Sequence, residues 1–325
     1  MNRSLRPLLA TTIIFVLTYV LAVFQFPALF STRVVGNLLT DNAFLGIAAV
    51  GMTFVIISGG IDLSVGAVIG FTTVLNAVLI MWLGLHPLFA FAISLAVAAV
   101  FGAIMGAAVH YLKVPSFIVT LAGMFLARGG ASVLSPDSIG IKHEFYTAIS
   151  KSYILLPGGG RLTVIGMIML AVFAVGIILA HRTRFGSYVY ALGGSETSAA
   201  LMGVPVARTT VLVYMLSATL AGLAGIVFSL YTQAGYSLSA LGVELDAIAA
   251  VVIGGTLLTG GYGFVAGTFI GVMLQGLVQT YIVFDGTLSS WWTKIVIGAL
   301  LFIFILMQRL VFSAASPSRK VLWKS

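Results

Sequence analysis

Few side chains in this sequence are suited to chemistry, and several of the acids among them sit near glycines. Only eight of the 325 residues are Asp or Glu. Asp62 and Ser64 lie within Gly59-Gly60-Ile61-Asp62-Leu63-Ser64-Val65-Gly66, which interrupts an apolar run that begins near Ala43 and resumes at Ala67. Freed backbone groups and a carboxylate are costly in hydrocarbon unless protein or water satisfies them. A sequence accepts that cost mainly where a helix break lines a cavity or turns between packed helices. Asp62 and Ser64 read first as caps for the helix that follows. Their second reading, shared with Gly59, Gly60 and Gly66, is the shaping of a passage. Glu244 and Asp246 form another acidic pair. They read either as caps at the outer end of a later helix or as contacts for an extracellular partner with basic residues.

Other chemistry finds little support. His86, His110, His143 and His181 are scattered, and no His-Glu-x-x-His occurs. Cysteine is absent, which excludes disulfides and thiolate sites. The run Gly254 to Gly263 lacks the Lys-Ser/Thr of a phosphate loop and reads as a tight connection between helices. No metal site, cofactor or ATPase motif of its own is expected in this chain, and it is not expected to be an enzyme.

The elements that must position these residues are membrane helices. The chain is 60% hydrophobic and 7% charged, with mean hydropathy +1.17. Globular domains carry about 25% charged residues. A net charge of +8 lies in short loops and tails, which argues against nucleic acid as a partner. With about 20 apolar residues per span, about ten spans are expected. They lie near 8–28, 40–58, 61–84, 87–111, 115–134, 162–180, 209–232, 246–261, 263–284 and 290–312. No small-residue cleavage signature follows Arg3 and Arg6, so the first is expected to be a retained helix. From an inner N-terminus, ten of the sixteen Lys and Arg face inward: Arg3, Arg6, Lys113, Arg182, Arg184, Arg208, Arg309, Arg319, Lys320 and Lys324. This excess predicts cytoplasmic N- and C-termini. Arg128 reads as a snorkelling residue near the outer surface.

A single transmembrane domain, 1–325, is therefore expected, with two notable loops. Residues 135–161 read as an exposed outer loop without helical period. Residues 181–208 read as a cytoplasmic link, with a short helix capped at Ser195 and stopped at Gly203. The apolar Ala199, Leu201 and Met202 of that helix suit either insertion into a partner or contact with lipid. Asp62 with Val68-Ile69-Gly70 recurs 184 residues later as Asp246 with Val252-Ile253-Gly254. This repeat predicts inverted topology relating helices 2–5 to helices 7–10. Tyr231, Gln233, Tyr236 and Asn76 are candidates for a polar path suited to sugar rings. The bland readings are an interfacial aromatic belt and interhelical hydrogen bonds.

Gly59 to Gly66, Val114-Pro115-Ser116-Phe117-Ile118-Val119-Thr120-Leu121-Ala122-Gly123 and Glu244 to Thr256 resemble signatures of the ribose/galactose-type permeases of bacterial ABC sugar importers. Leu39 to Gly46 and Phe284 to Lys294 are similar to permeases of galactofuranose importers. The resemblance implies an all-α permease subunit in the bacterial inner membrane, in contact with lipid, that moves a monosaccharide. It implies a second, non-identical permease, a periplasmic sugar-binding protein docking near Glu244 and Asp246, and a cytoplasmic ABC ATPase that uses ATP and Mg. Gly194, Ser195, Glu196, Ala199, Ala200, Leu201, Met202 and Gly203 would form the segment that the ATPase grips, and Phe117 would join the pathway set. The competing reading is an ion-coupled secondary sugar transporter, against which stands the location of most acids in loops or at helix ends.

Overall fold

A computed structural model describes residues 6–289 and 291–313. The chain forms a polytopic, almost wholly helical membrane protein. The first half comprises α1 (Arg6–Gln25), α2 (Thr32–Asp41), α3 (Ala43–Ile57), α4 (Val65–Met81), α5 (Pro87–Tyr111), α6 (Ser116–Leu134) and α7 (Glu144–Lys151). The second comprises α8 (Val164–Arg182), α9 (Arg184–Gly194), α10 (Glu196–Leu201), α11 (Val206–Thr232), α12 (Val243–Ile253), α13 (Val265–Asp285) and α14 (Trp291–Ser313). A 3-10 turn (Pro27–Leu29) and four short strands complete the elements of the described residues. β1 (Ile139–Gly140) pairs antiparallel with β4 (Ala234–Gly235), and β2 (Tyr153–Leu155) pairs antiparallel with β3 (Arg161–Thr163).

The core forms around α3, in which every residue but Phe44 is buried. Its sequence has no charged residue, so no side chain opposes burial on all sides. α3 packs against α11, α12, α8 and α13, while α11 also packs against α4 and α5. The α5–α11 contact is close because a Cβ at Gly106 would lie 2.8 Å from the Val211 Cα. Small residues admit such backbone approach where water supplies no hydrophobic drive between helices. The opposite face of α5 carries Leu88, Phe89, Ile93, Val97, Val100 and Ile104, all exposed and at helical spacing, as a lipid-facing stripe requires.

Each of the ten expected spans contains a helix, but among the described residues six helices are long and apolar enough to cross a membrane. A seventh span results if α2 and α3, bent by 57°, count as one. The expectation of about ten therefore exceeds what length and composition support. α4 is 17 residues long because the break at Gly59–Ser64 shortens it. α12 is 11 residues long and ends at Gly254-Gly255. Nor do these criteria establish an inverted repeat.

Segment 135–161 is more ordered than its composition predicts. The His143 imidazole accepts the Phe145 N–H at the start of α7. Tyr146 is buried, with its hydroxyl 3.1 Å from the Ser229 hydroxyl of α11. Phe145 meets Phe91 edge-on and Tyr146 meets it tilted, so aromatic anchors hold this segment to the helices.

Candidate functional site at the helix breaks

Asp62 lies in the break between α3 and α4 and is fully buried. Its Oδ1 accepts the Ser64 N–H at 2.9 Å and the Ser64 hydroxyl at 2.6 Å, while Oδ2 accepts the Ser217 hydroxyl of α11 at 2.8 Å. The expected cap is thus corrected. Ser64 stands at the N-cap of α4 with helical φ and ψ, and its hydroxyl donates to Asp62 instead of accepting from the first turn. The carboxylate instead ties the break to α11. From α6, the Ser116 hydroxyl accepts the Ile61 N–H at 3.3 Å and Thr120 donates to the Ile61 carbonyl at 3.3 Å. Freed backbone at the break thereby finds its partners on α6, while α11 holds the carboxylate.

Three glycine pairs from distant parts of the chain meet beside this break. Gly59 and Gly60 follow α3, Gly193 and Gly194 end or closely follow the last turn of α9, and Gly260 and Gly261 join α12 to α13. The Gly261 N–H donates to the Ile57 carbonyl at 2.8 Å. A Cβ at Gly193 would overlap that same carbonyl oxygen and fall 2.5 Å from the Gly261 nitrogen. A Cβ at Gly260, where φ is +82°, would lie 2.9 Å from the Gly59 backbone. Three backbones thus touch where no side chain fits. Tyr190 of α9 strengthens the junction by donating to the Gly263 carbonyl at 2.7 Å. Burial and the neighbouring Tyr262 push its phenol up to about 12, so it remains a donor at neutral pH. Each pair reads locally as a turn, so their meeting was missed. A shared signal existed: Gly-Gly-x5-Gly-x3-Gly begins at both Gly59 and Gly260, an offset of 201.

The junction carries the 181–208 link. Thr183 accepts the Gly186 N–H and opens α9, a helix that the sequence reading did not identify. Ser195 accepts the Ser198 N–H at 3.2 Å and opens α10, and Gly203 with φ +82° follows it, as expected. Ala199 is buried toward the body of the protein, while Ala200, Leu201 and Met202 are exposed, Leu201 at 86% and Met202 at 83%. Glu196 lies 3.5 Å from Lys113, with both side chains mostly in solvent, so the pair contributes little.

Both acids of α12 meet other parts of the chain. Asp246 forms an ion pair with Lys294 of α14 at 2.6 Å. Glu244 packs against bare Gly66, where a Cβ would overlap its Oε2. Arg128 reaches across from α6 and donates to the carbonyls of Ser237 and Ser239 at 2.5 and 2.7 Å. Arg128 is therefore a bracing residue, and its partners lie over 100 positions away. Exchanging Asp246 and Lys294 in a double variant is expected to recover the melting temperature that each single change loses. The expected coupling is about 1 kcal/mol. Independent single effects, with loss of binding-protein docking in Asp246→Ala alone, would favour the docking reading.

The proposed path residues do not converge. Asn76 is buried between helices and accepts the Ser94 hydroxyl at 2.8 Å. Gln233 is exposed in a left-handed conformation and donates to Ser150. Phe117 is 50% exposed on α6. Tyr231 alone among them lines a large cavity, where its hydroxyl donates to Asp41 at 3.1 Å.

Comparison with known proteins accords with this architecture. Residues 34–305 match the family described as branched-chain amino acid transport system / permease component. The inner membrane ABC transporter permease protein YjfF of Escherichia coli K12 is 62% identical over 303 residues, covering 93% of this chain and 92% of that protein. The fructose import permease protein FruG of Bifidobacterium longum is 36% identical, covering 98% and 95%. The ribose import permease protein RbsC of Escherichia coli K12 is 36% identical, covering 87% of each. No solved structure matches. A buried polytopic helix bundle, paired glycine breaks and similarity across nearly the whole length lead to one conclusion: the chain belongs to this family of transport-system permease components.

Proposed function

We propose that this chain is the permease subunit of an ABC importer that carries a monosaccharide, galactofuranose or a similar sugar, across the bacterial inner membrane. The observation that carries the proposal is α10. It presents Ala200, Leu201 and Met202 to solvent from a link packed on the breaks of two helix pairs. An exposed apolar helix on a rigid base suits a cytoplasmic ATPase that grips it and moves the breaks. The sugar-import relatives support the substrate class. A second, non-identical permease and a periplasmic binding protein complete the proposed importer, with ATP and Mg held by the ATPase.

The proposed topology has ten crossings with both termini cytoplasmic and segment 135–161 outside. The inward excess of Lys and Arg supports it, as does the apolar character of α4 and of Trp291–Met307. The inverted repeat belongs to this proposal: Asp62 precedes α4 beside the link, while Asp246 opens α12 beside Lys294.

One observation favours ion coupling. Asp62 is an acid buried among helices, where such transporters place coupling carboxylates. Its hydrogen bonds to Ser64 and Ser217 instead suit a structural tie. Proteoliposomes decide between these readings. Uptake is expected only with ATPase, sister permease and binding protein present. Changing Leu201 and Met202 to Ser is expected to cut ATPase co-purification at least tenfold while leaving melting unchanged, because both side chains lie in solvent. Sugar accumulation by the purified chain alone on an ion gradient would overturn the proposal.

A further inference from the structure

We propose that a cavity within this single chain, at the end away from the link, binds one neutral monosaccharide. The inference rests on the importer reading and adds a binding site to it. The cavity measures about 520 Å³ and lies among α2, α3, α11, α12 and α13. That volume falls within the usual range of about 300–1,000 Å³ for small-ligand sites.

Its lining is unusual for a chain with 7% charged residues. Arg33, Asn37 and Asp41 recur every four residues on α2 and so share one helix face. Gln279 of α13 and Tyr231 of α11 add to the polar lining, whose Asn42 and Thr280 donate to backbone carbonyls of their own helices. The side chains of Asn37 and Gln279 make no hydrogen bond among the described residues, and the Asp41 carboxylate receives only the Tyr231 hydroxyl. Donors and acceptors therefore remain for a ligand. Amides and a carboxylate each offer two adjacent polar atoms, which suit vicinal hydroxyls. The Tyr231 ring supplies an apolar face for the C–H side of a sugar.

Charge selects a neutral ligand. The formal charges of Arg33 and Asp41 cancel without an ion pair between them, and Lys294 neutralises Asp246, the remaining acid of the lining. An α-amino acid would need its ammonium and carboxylate clamped side by side. Arg33 and Asp41 lie eight residues apart, about 12 Å along the helix axis, which does not suit that clamp.

The test uses the full chain in lipid nanodiscs, without partners, and saturation-transfer difference NMR. The probes are D-galactose, D-ribose, D-fructose and L-leucine. At least one sugar is expected to give a signal that falls at least fivefold in both Asn37→Ala and Gln279→Ala. Gln233→Ala, outside the cavity, is expected to retain it. Thermal melts matching wild type show that the loss is not unfolding, and Asp41→Asn offers a further substitution at the same face. Absence of signal from every sugar, an undiminished signal in these variants, or a signal from leucine alone would overturn the site. Importer assays separate the two claims. ATP-dependent uptake by the complete wild-type assembly without a nanodisc sugar signal defeats the cavity alone, whereas absence of such uptake defeats the importer reading.

Discussion

Gly193→Ala is expected to reduce sugar uptake by the reconstituted importer at least tenfold, while Gly194→Ala stays within twofold of wild type. The two glycines are neighbours in sequence but not in environment. A Cβ at Gly193 would overlap the Ile57 carbonyl oxygen and crowd the Gly261 nitrogen, whereas one at Gly194 meets nothing within 4 Å among the described residues. The Gly193 methyl must part backbones that the Gly261-to-Ile57 hydrogen bond now joins. Overpacking of this kind costs about 1–3 kcal/mol, and the stretched hydrogen bond adds about 1 kcal/mol. The exposed face of α10 is unchanged, so the ATPase is expected to remain bound but to act through a displaced junction. Co-purification and uptake, measured on the same preparation, separate binding from transmission. Gly260→Ala, at φ +82°, is expected to follow Gly193→Ala. Wild-type uptake by Gly193→Ala would show that the three-way contact transmits nothing.

Legibility in the sequence follows the range of the interaction concerned. Apolar runs reveal helices because lipid-facing and core-facing side chains are both apolar. The span expected at 87–111 coincides with α5, bounded by Pro87 and Tyr111. Ser195 and Gly203 mark α10 because cap and stop are local devices. α9 escaped notice because its buried side is only Gly186, Val189 and Leu192, packed on its neighbours α8 and α10 as well as on α3 and α11. α7 was hidden by an imidazole cap and by anchoring aromatics whose partners lie elsewhere. The ion pair of Asp246 was not legible because Lys294 stands 48 residues away. The cavity has the same character: Asp41 and Tyr231 are 190 residues apart, and neither alone signals a site. The repeat noted at an offset of 184 aligned acids, while the glycines that touch follow an offset of 201.

Asp62 distinguishes a structural tie from a charge carrier. Asp62→Ala is expected to destabilise the protein by about 3 kcal/mol, because truncating a buried acceptor strands the groups that faced it. The Ser64 N–H loses its acceptor, while the hydroxyls of Ser64 and Ser217 retain the option of turning to nearby backbone carbonyls. Asp62→Asn has nearly the same shape and keeps one carbonyl oxygen for both Ser64 donors. Its amide then faces Ser217, whose hydroxyl can rotate to accept. Asp62→Asn is therefore expected to retain more than half of wild-type uptake and to melt close to wild type. Ser217→Ala, which removes one donor and leaves the carboxylate tied to Ser64, is expected to fall between the two. A charge required for ion coupling would give the opposite order, with Asp62→Asn folded, stable and inactive. Measuring melting and ATP-dependent uptake for all three variants therefore tests both the architecture of the break and the energy source of the transporter.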